Sequence, residues 1–337
     1  MTSASATDQK FSRRPDPGPG LRSGRLQRTA DPAFRWFLSG AGLCVLLVLG
    51  WMIVSTTIDS WPVFESEGLN LFFGREWSPG NARDGSISGT YGGFEFLFGT
   101  VVTAVLALLF AIVPATGIAL YLTQLAPRRL AKMLGYTVDL LAAVPSIIYG
   151  LWGSLFLVPV LMPFMTRVSE LLGPFLPAFA GPVRVRNLFI ASLVLGVMVL
   201  PITSAVIREV IAQTPREERF AAFGLGATRW EVIRHVVLPR STAGIIGGAM
   251  LGLGRALGET IAVLLIIGGN ARAEFRLFDT SQTVASQIAA AFKEASPEYI
   301  NALLALGVAL FVITVLVNML ARFIVNRLGH VTGDAAL

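Results

Sequence analysis

Residues 244–269 read GIIGGAMLGLGRALGETIAVLLIIGG, an apolar run carrying one base, Arg255, and one acid, Glu259. The run exceeds the roughly 20 residues a helix needs to cross the hydrocarbon core of a bilayer. No water reaches backbone amides there, so the run must be helical. A charge at the bilayer centre costs about 2.5–3.5 kcal/mol on insertion scales, so Arg255 has to face protein or a water-filled path. Glu259, four residues on, is expected on the same helix face. A guanidinium is a planar fork of donors that matches the oxygens of a carboxylate or phosphate. Two readings stay open. One is a transient oxyanion site, with Arg255, Glu259 and Thr260 on the path and Glu259 competing for the guanidinium so that the anion can leave. The other is a static ion pair that only fixes packing. Gly244, Gly248 and Gly252, and then Gly254 and Gly258, make small-residue ladders that admit a close neighbouring helix, expected at a subunit seam.

Outward from this run, further apolar stretches lie near 36–58, 96–122, 138–163, 187–207 and 301–325. The sequence therefore predicts an all-α polytopic membrane protein with six transmembrane helices. The third stretch holds Pro145, Pro159 and Pro163, so its end is expected to kink or re-enter. Only 14% of the 337 residues are charged against 54% hydrophobic, too little charge to cover a soluble domain of this length. The net charge of +6 is spread between the apolar runs and forms no single basic stripe, which argues against a nucleic-acid partner. One cysteine, Cys44, and two histidines, His235 and His330, leave no intrachain disulfide and no zinc-type ligand spacing. Residues 1–33 read as a disordered basic tail without a secretory signal, and 329–337 as a short second tail.

Orientation follows from the bases. Seven Lys or Arg precede the first span, three follow the second, six lie from Arg208 to Arg240 and two near the C-terminus, against eight in the three alternate loops. By the positive-inside rule both termini are cytoplasmic. The segment 59–93 is then external. Its Trp61, Phe72, Phe73 and Trp77 fit either a small folded cap that meets an extracytoplasmic partner or aromatics seated at the membrane interface. Among isolated polar residues, Asp139 reads as a helix-end group at the cytoplasmic start of span three, and Glu95 and Thr100 as caps at the outer start of span two. Ser146 follows Pro145, and Thr203 and Ser204 follow Pro201; these hydroxyls either satisfy backbone groups freed by proline or line the path.

The cytoplasmic loop 208–240 is the second informative stretch. Its core, RFAAFGLGATRWEVIRHVVLP (219–239), places Phe220, Phe223, Ala227, Trp230, Ile233 and Val237 at three- and four-residue steps, the mark of an amphipathic helix. Pro215 precedes the first turn, and Glu217 and Glu218 lie where the helix dipole favours acids. Gly224 and Gly226 allow a bend between two short helices, and Pro239 is expected to end the second. Such an elbow either docks into a cleft on a cytoplasmic partner or lies flat in the headgroups through its arginines.

Ala221-Ala222-x-x-x-Gly226, followed after nine residues by Val236-x-Leu238-Pro239, resembles the "EAA" loop of ATP-binding-cassette importer permeases, the coupling element that sits in a groove of the ATPase subunit. The resemblance implies docking through Glu217, Phe220, Ala221, Ala222, Gly226 and Ala227. It departs at one place: the family's Glu falls on Phe220, with Glu217 one turn earlier. No Gly-x-x-x-x-Gly-Lys-Ser/Thr phosphate loop is present, so another chain must hydrolyse ATP.

Leu140 to Gly153 (LLAAVPSIIYGLWG), the run from Pro201-Ile202 to Gly224–Trp230, and Leu253 to Thr260 together resemble the phosphate importer permeases of PstC type, over roughly residues 34–328. That resemblance implies the type I importer permease fold and a bacterial cytoplasmic membrane location. It also implies a transport role for Arg255 and Glu259 and no cofactor in this chain, with ATP and Mg acting on the partner ATPase. The implied partners are a second, PstA-type permease as heterodimer, two ATPase subunits and an extracytoplasmic phosphate-binding protein. A permease for sulfate or molybdate, an ion-coupled secondary transporter and a non-transport membrane anchor are the alternatives.

Overall fold

The computed structural model describes residues 25–80, 87–270 and 274–333, with side chains for 34–80, 87–270 and 274–323. Residues 1–24 and 334–337, on which most of the two tail expectations fall, lie outside that set. Six helices among the described residues are long and apolar enough to cross a membrane: Phe34–Glu67, Phe94–Leu125, Ser146–Leu172, Leu188–Ala212, Arg229–Leu257 and Pro297–Phe323. The chain divides into two units, Met1–Ser55 and Thr56–Leu337. The first contains the start of α1 (Arg25–Glu67), which begins inside the stretch expected to be tail. The side chains from Phe34 to Met52, including Trp36, Leu46 and Trp51, are exposed, as suits a lipid-facing helix.

In the second unit, α2 (Asn70–Phe73) and the two-residue strands β1 (Trp77–Ser78) and β2 (Thr90–Tyr91) follow α1. The strands pair antiparallel, Trp77 opposite Tyr91 and Ser78 opposite Thr90. Next comes α3 (Phe94–Leu120), closed by a π-turn at Tyr121–Leu125. Pro145 then sets a correction. The third span does not begin at 138, because a residue before proline is driven out of the helical region. The chain instead forms a separate helix, α4 (Arg128–Ala142), and restarts as α5 (Ser146–Trp152), a π-segment at 153–157 and α6 (Val158–Leu172). Asp139 therefore lies on α4 and not at the start of a span. Its two oxygens accept from Nη2 of Arg208, at 2.8 and 3.0 Å, which ties α4 to α7 (Leu188–Ala212).

Helix α7 is the centre of the bundle, and its start is fixed locally. Asn187 caps it, Oδ1 accepting from the Ile190 amide at 2.9 Å while Nδ2 donates to the Arg184 carbonyl. Ala104, Ala107, Ala111, Ala115 and Ala119, one stripe of α3, are all buried. Small side chains there let α7 approach so closely that a Cβ on Gly196 would meet the Ala107 carbonyl at 3.0 Å.

The remaining elements are α8 (Arg216–Gly224), α9 (Arg229–Val232), a π-segment at 233–237, α10 (Leu238–Leu257), α11 (Ile261–Ile266), α12 (Val284–Ala291) and α13 (Pro297–Gly333). Pro239 does not end the second short helix, as expected from sequence. It lies in the first turn of α10, and the π-segment before it widens the helix where proline has no N–H to give. Gly244, Gly248 and Gly252 are a further correction. A Cβ at these positions would run into Val210, Ile207 and Thr203 of α7, so this ladder closes against the chain's own helix and forms no subunit seam.

Candidate functional site

Arg255 and Glu259 do not share the face of one continuous helix. Helix α10 ends at Leu257, Gly258 leaves it at φ −95° and ψ 1°, and Thr260 precedes α11. Each charge serves its own helix end. Arg255 is in the last turn of α10, where the dipole favours a cation. Glu259 precedes α11 and accepts from the Ala262 amide at 3.3 Å. Thr260 turns its hydroxyl onto the Gly258 carbonyl at 3.2 Å. No ion pair joins Arg255 to Glu259 among the described residues, so the guanidinium is free to meet another anion.

Arg255 is exposed, and Glu259 and Thr260 are half-buried. On the same stretch Gly247 and Gly254 have open space where a Cβ would sit, and at Gly258 the nearest atom is 3.9 Å away. Arg255 also lies within electrostatic reach of buried Tyr149 on α5, whose hydroxyl donates to the Leu141 carbonyl at 2.8 Å. The break in span five thus presents an exposed cation on an open glycine face, beside the start of span three. Ser146, the first residue of α5, is half-buried. Thr203 and Ser204 are elsewhere. Both are buried in α7; Thr203 packs at Gly252 of α10, and Ser204 donates to the Pro201 carbonyl at 2.9 Å.

The elbow expected at 217–239 is present, with its apolar set split in two. Ile233 and Val237 are buried, and Ala222 and Ala227 pack against a cluster that includes Ala115, Ala119, Ile207 and Ile211. Phe220 (68%), Leu225 (90%) and Trp230 (63%) are exposed, as are Glu217, Ala221 and Gly226. Gly226 takes φ +87°, the left-handed conformation glycine adopts at little cost; Gly224 stays helical. A device not foreseen from sequence fixes the exit from the bend. Thr228 and Glu231 form a reciprocal capping box, visible in hindsight as Thr-x-x-Glu before an apolar run.

At the other end of the bundle the described residues of the 59–93 segment, 59–80 and 87–93, fold as a cap. Val63, Leu71 and Tyr91 are buried with Phe96, Leu97, Ala302 and Leu306, and Trp77 meets Tyr91 and Phe96 edge-on. Trp61 and Phe73 remain exposed, as interface aromatics would. The latch is Glu298, at the start of α13 and fully buried. Its carboxylate accepts from the amides of Ser88 and Gly89 and from the hydroxyls of Ser88 and Tyr91, all within 2.9 Å. Burial pushes the Tyr91 phenol up to about 12, helped by the negative Glu298 beside it.

Residues 115–330 match the family described as "Binding-protein-dependent transport system inner membrane component". The chain is 38% identical over 321 residues to the phosphate transport system permease protein PstC of Xylella fastidiosa, covering 94% of this chain and 96% of that one. It is 40% identical over 314 residues to the phosphate transport system permease protein PstC 2 of Mycobacterium tuberculosis, covering 92% and 95%. Among solved structures it resembles a chain of a bacterial alginate ABC transporter in complex with an alginate pentasaccharide-bound periplasmic protein, with TM-score 0.59 and 16% identity over 89% of this chain and 97% of that one. A chain of the MetNI methionine ABC transporter matches with TM-score 0.50 and 15% identity, over 70% and 94%. At these identities the structural likeness speaks to the fold.

Proposed function

The chain belongs to the family of binding-protein-dependent transport system inner membrane components, and from that premise we propose that it forms half of the conduit of an ATP-driven phosphate importer. It is a multi-pass membrane permease, a transport component and not an enzyme, and it works with ATPase and binding-protein partners. The finer reading is a heterodimer with a second, PstA-type permease, served by two ATPase subunits that hold ATP and Mg and by an extracytoplasmic phosphate-binding receptor. Both termini and the elbow at α8 face the cytoplasm, and the cap faces the receptor.

The observation that carries this reading is Arg255: a permanent cation, exposed on an open glycine face where span five breaks, without a carboxylate partner among the described residues. Lipid is an untenable neighbour for that charge, so the second permease and a water-filled path must cover this face. A phosphate arriving there meets a fork of donors of matching geometry. The exposed Leu225 and Trp230 enter the ATPase, and Ala222 and Ala227, seated on the cluster beneath α3 and α7, pass its motion to the bundle.

The test is uptake of radiolabelled phosphate by proteoliposomes holding the complete transporter, with receptor on the outside and ATP within. The expected result is uptake that needs both ATP and receptor and is not displaced by excess sulfate or molybdate. Uptake without ATP, or competition by those oxyanions, contradicts the reading.

A further inference from the structure

We propose that the cleft between α8 and the end of α3 is a second anion site, taking a phosphate-bearing group, distinct from the conduit at Arg255. The cleft, about 490 Å³, is lined by Arg128, Arg216, Arg219 and Arg229, with Gln124, Phe220, Phe223 and Val232 among its other walls. Among the described residues no carboxylate lines it. Two nearby bases outside the cleft are engaged by carboxylates. Arg208 is paired with Asp139, and Arg240 lies 3.9 Å from Glu218. Among the described residues the side chains of Arg128, Arg216 and Arg229 have no hydrogen-bond or ion-pair partner.

Arg219 is held but not satisfied. Its Nη1 donates to Oε1 of Gln124, which sits in the π-turn that ends α3, at 3.1 Å. Its Nε is buried with nothing to donate to. Four like charges around one cavity repel one another, and a buried guanidinium N–H without an acceptor is rare and costly. An anion with several acceptor oxygens answers both at once, and a phosphate group is the simplest with the right fork geometry.

The position gives the site a consequence. Arg216 and Arg219 belong to α8, Arg229 opens α9, and Arg128 opens α4. An anion bridging them fastens the elbow to the ends of the spans, so occupancy sets how stiffly α8 is held. The group is either free inorganic phosphate or the headgroup of an anionic lipid, which share this chemistry.

The experiment uses the complete transporter without receptor, in the Arg255→Gln background so that the conduit is silent. One arm measures equilibrium binding of radiolabelled inorganic phosphate in zwitterionic nanodiscs. The other counts retained phosphatidylglycerol by native mass spectrometry after extraction from mixed-lipid membranes. Arg219→Gln with Arg229→Gln should weaken binding in one arm by about tenfold or more, and Arg128→Gln, on the opposite wall, should weaken the same arm. The corresponding Lys variants, which keep the charges, should restore most of the loss. Loss in the phosphate arm assigns the free anion, and loss in the lipid arm assigns the headgroup. Binding within twofold of the parent in both arms for the double Gln variant overturns the proposal. Because neither arm requires uptake, failure here leaves the importer reading standing, and failure of uptake leaves this result intact.

Discussion

Two glycines two residues apart on α10 have opposite tasks, and substitution should separate them. A Cβ at Gly252 would come within 2.6 Å of Thr203 Oγ1 and 2.7 Å of Val199 Cγ1, whereas Gly254 has nothing within 4 Å. Overpacking a tight helix contact costs about 1–3 kcal/mol. Gly252→Ala should therefore lower the midpoint of thermal unfolding in detergent, while Gly254→Ala leaves it unchanged; equal midpoints would mean that the two faces are equally free. Glycine spacing announced close approach in the sequence, but it carries no label for the partner. That Gly252 meets α7 of its own chain became visible only with both helices placed. Arg255 was legible for the opposite reason, since a charge in an apolar run is conspicuous whatever surrounds it. Its relation to Glu259 was not. A four-residue spacing implies a shared face only in an unbroken helix, and Gly258 is where this one breaks.

At the scale of elements, the elbow and the cap are separable devices. Gly226→Ala has steric room but forces an L side chain to φ +87°, a penalty of about 1 kcal/mol that falls on the bend alone. Thr228→Ala removes the cap of α9 at a similar cost of about 1 kcal/mol. Both variants should leave the permease folded and raise the ATP hydrolysed per phosphate moved; unchanged coupling in both would remove the elbow from the mechanism. The cap should respond to alkali. A phenol in an unfolded chain ionises near about 10, and the folded Tyr91 at about 12. The protonated form is thus favoured by folding. Its contribution is whole below about pH 10 and disappears as the pH climbs to about 12. Protease cleavage within 79–92 should rise over that window in the wild type and lose this dependence in Tyr91→Phe. The elbow was readable because its Pro215, its acids and its periodicity all agree on one structure. The cap was readable only as an excess of aromatics, since its latch joins Glu298 to Ser88 and Tyr91 across most of the chain.

For the whole molecule the account requires a polarity: elbow on the side of ATP, cap on the side of the receptor. Leu225, 90% exposed at the tip of the elbow, provides a reporter. In a Cys44→Ser background expressed without the ATPase subunits, Leu225→Cys should react with a membrane-impermeant maleimide in inside-out vesicles and stay unlabelled in intact cells; the reverse pattern would invert the topology. The central claim concerns the cation in the break of span five. It is tested most directly by ATP-driven phosphate uptake into proteoliposomes of the complete transporter, comparing wild type with Arg255→Gln and Arg255→Lys. The account predicts that the Gln variant assembles with all its partners and takes up less than about a tenth as much phosphate, the loss of one charge-assisted contact at the bottleneck. The Lys variant, which keeps the charge and loses the fork, should fall between the two. Uptake by an assembled Gln variant at the wild-type rate would contradict it.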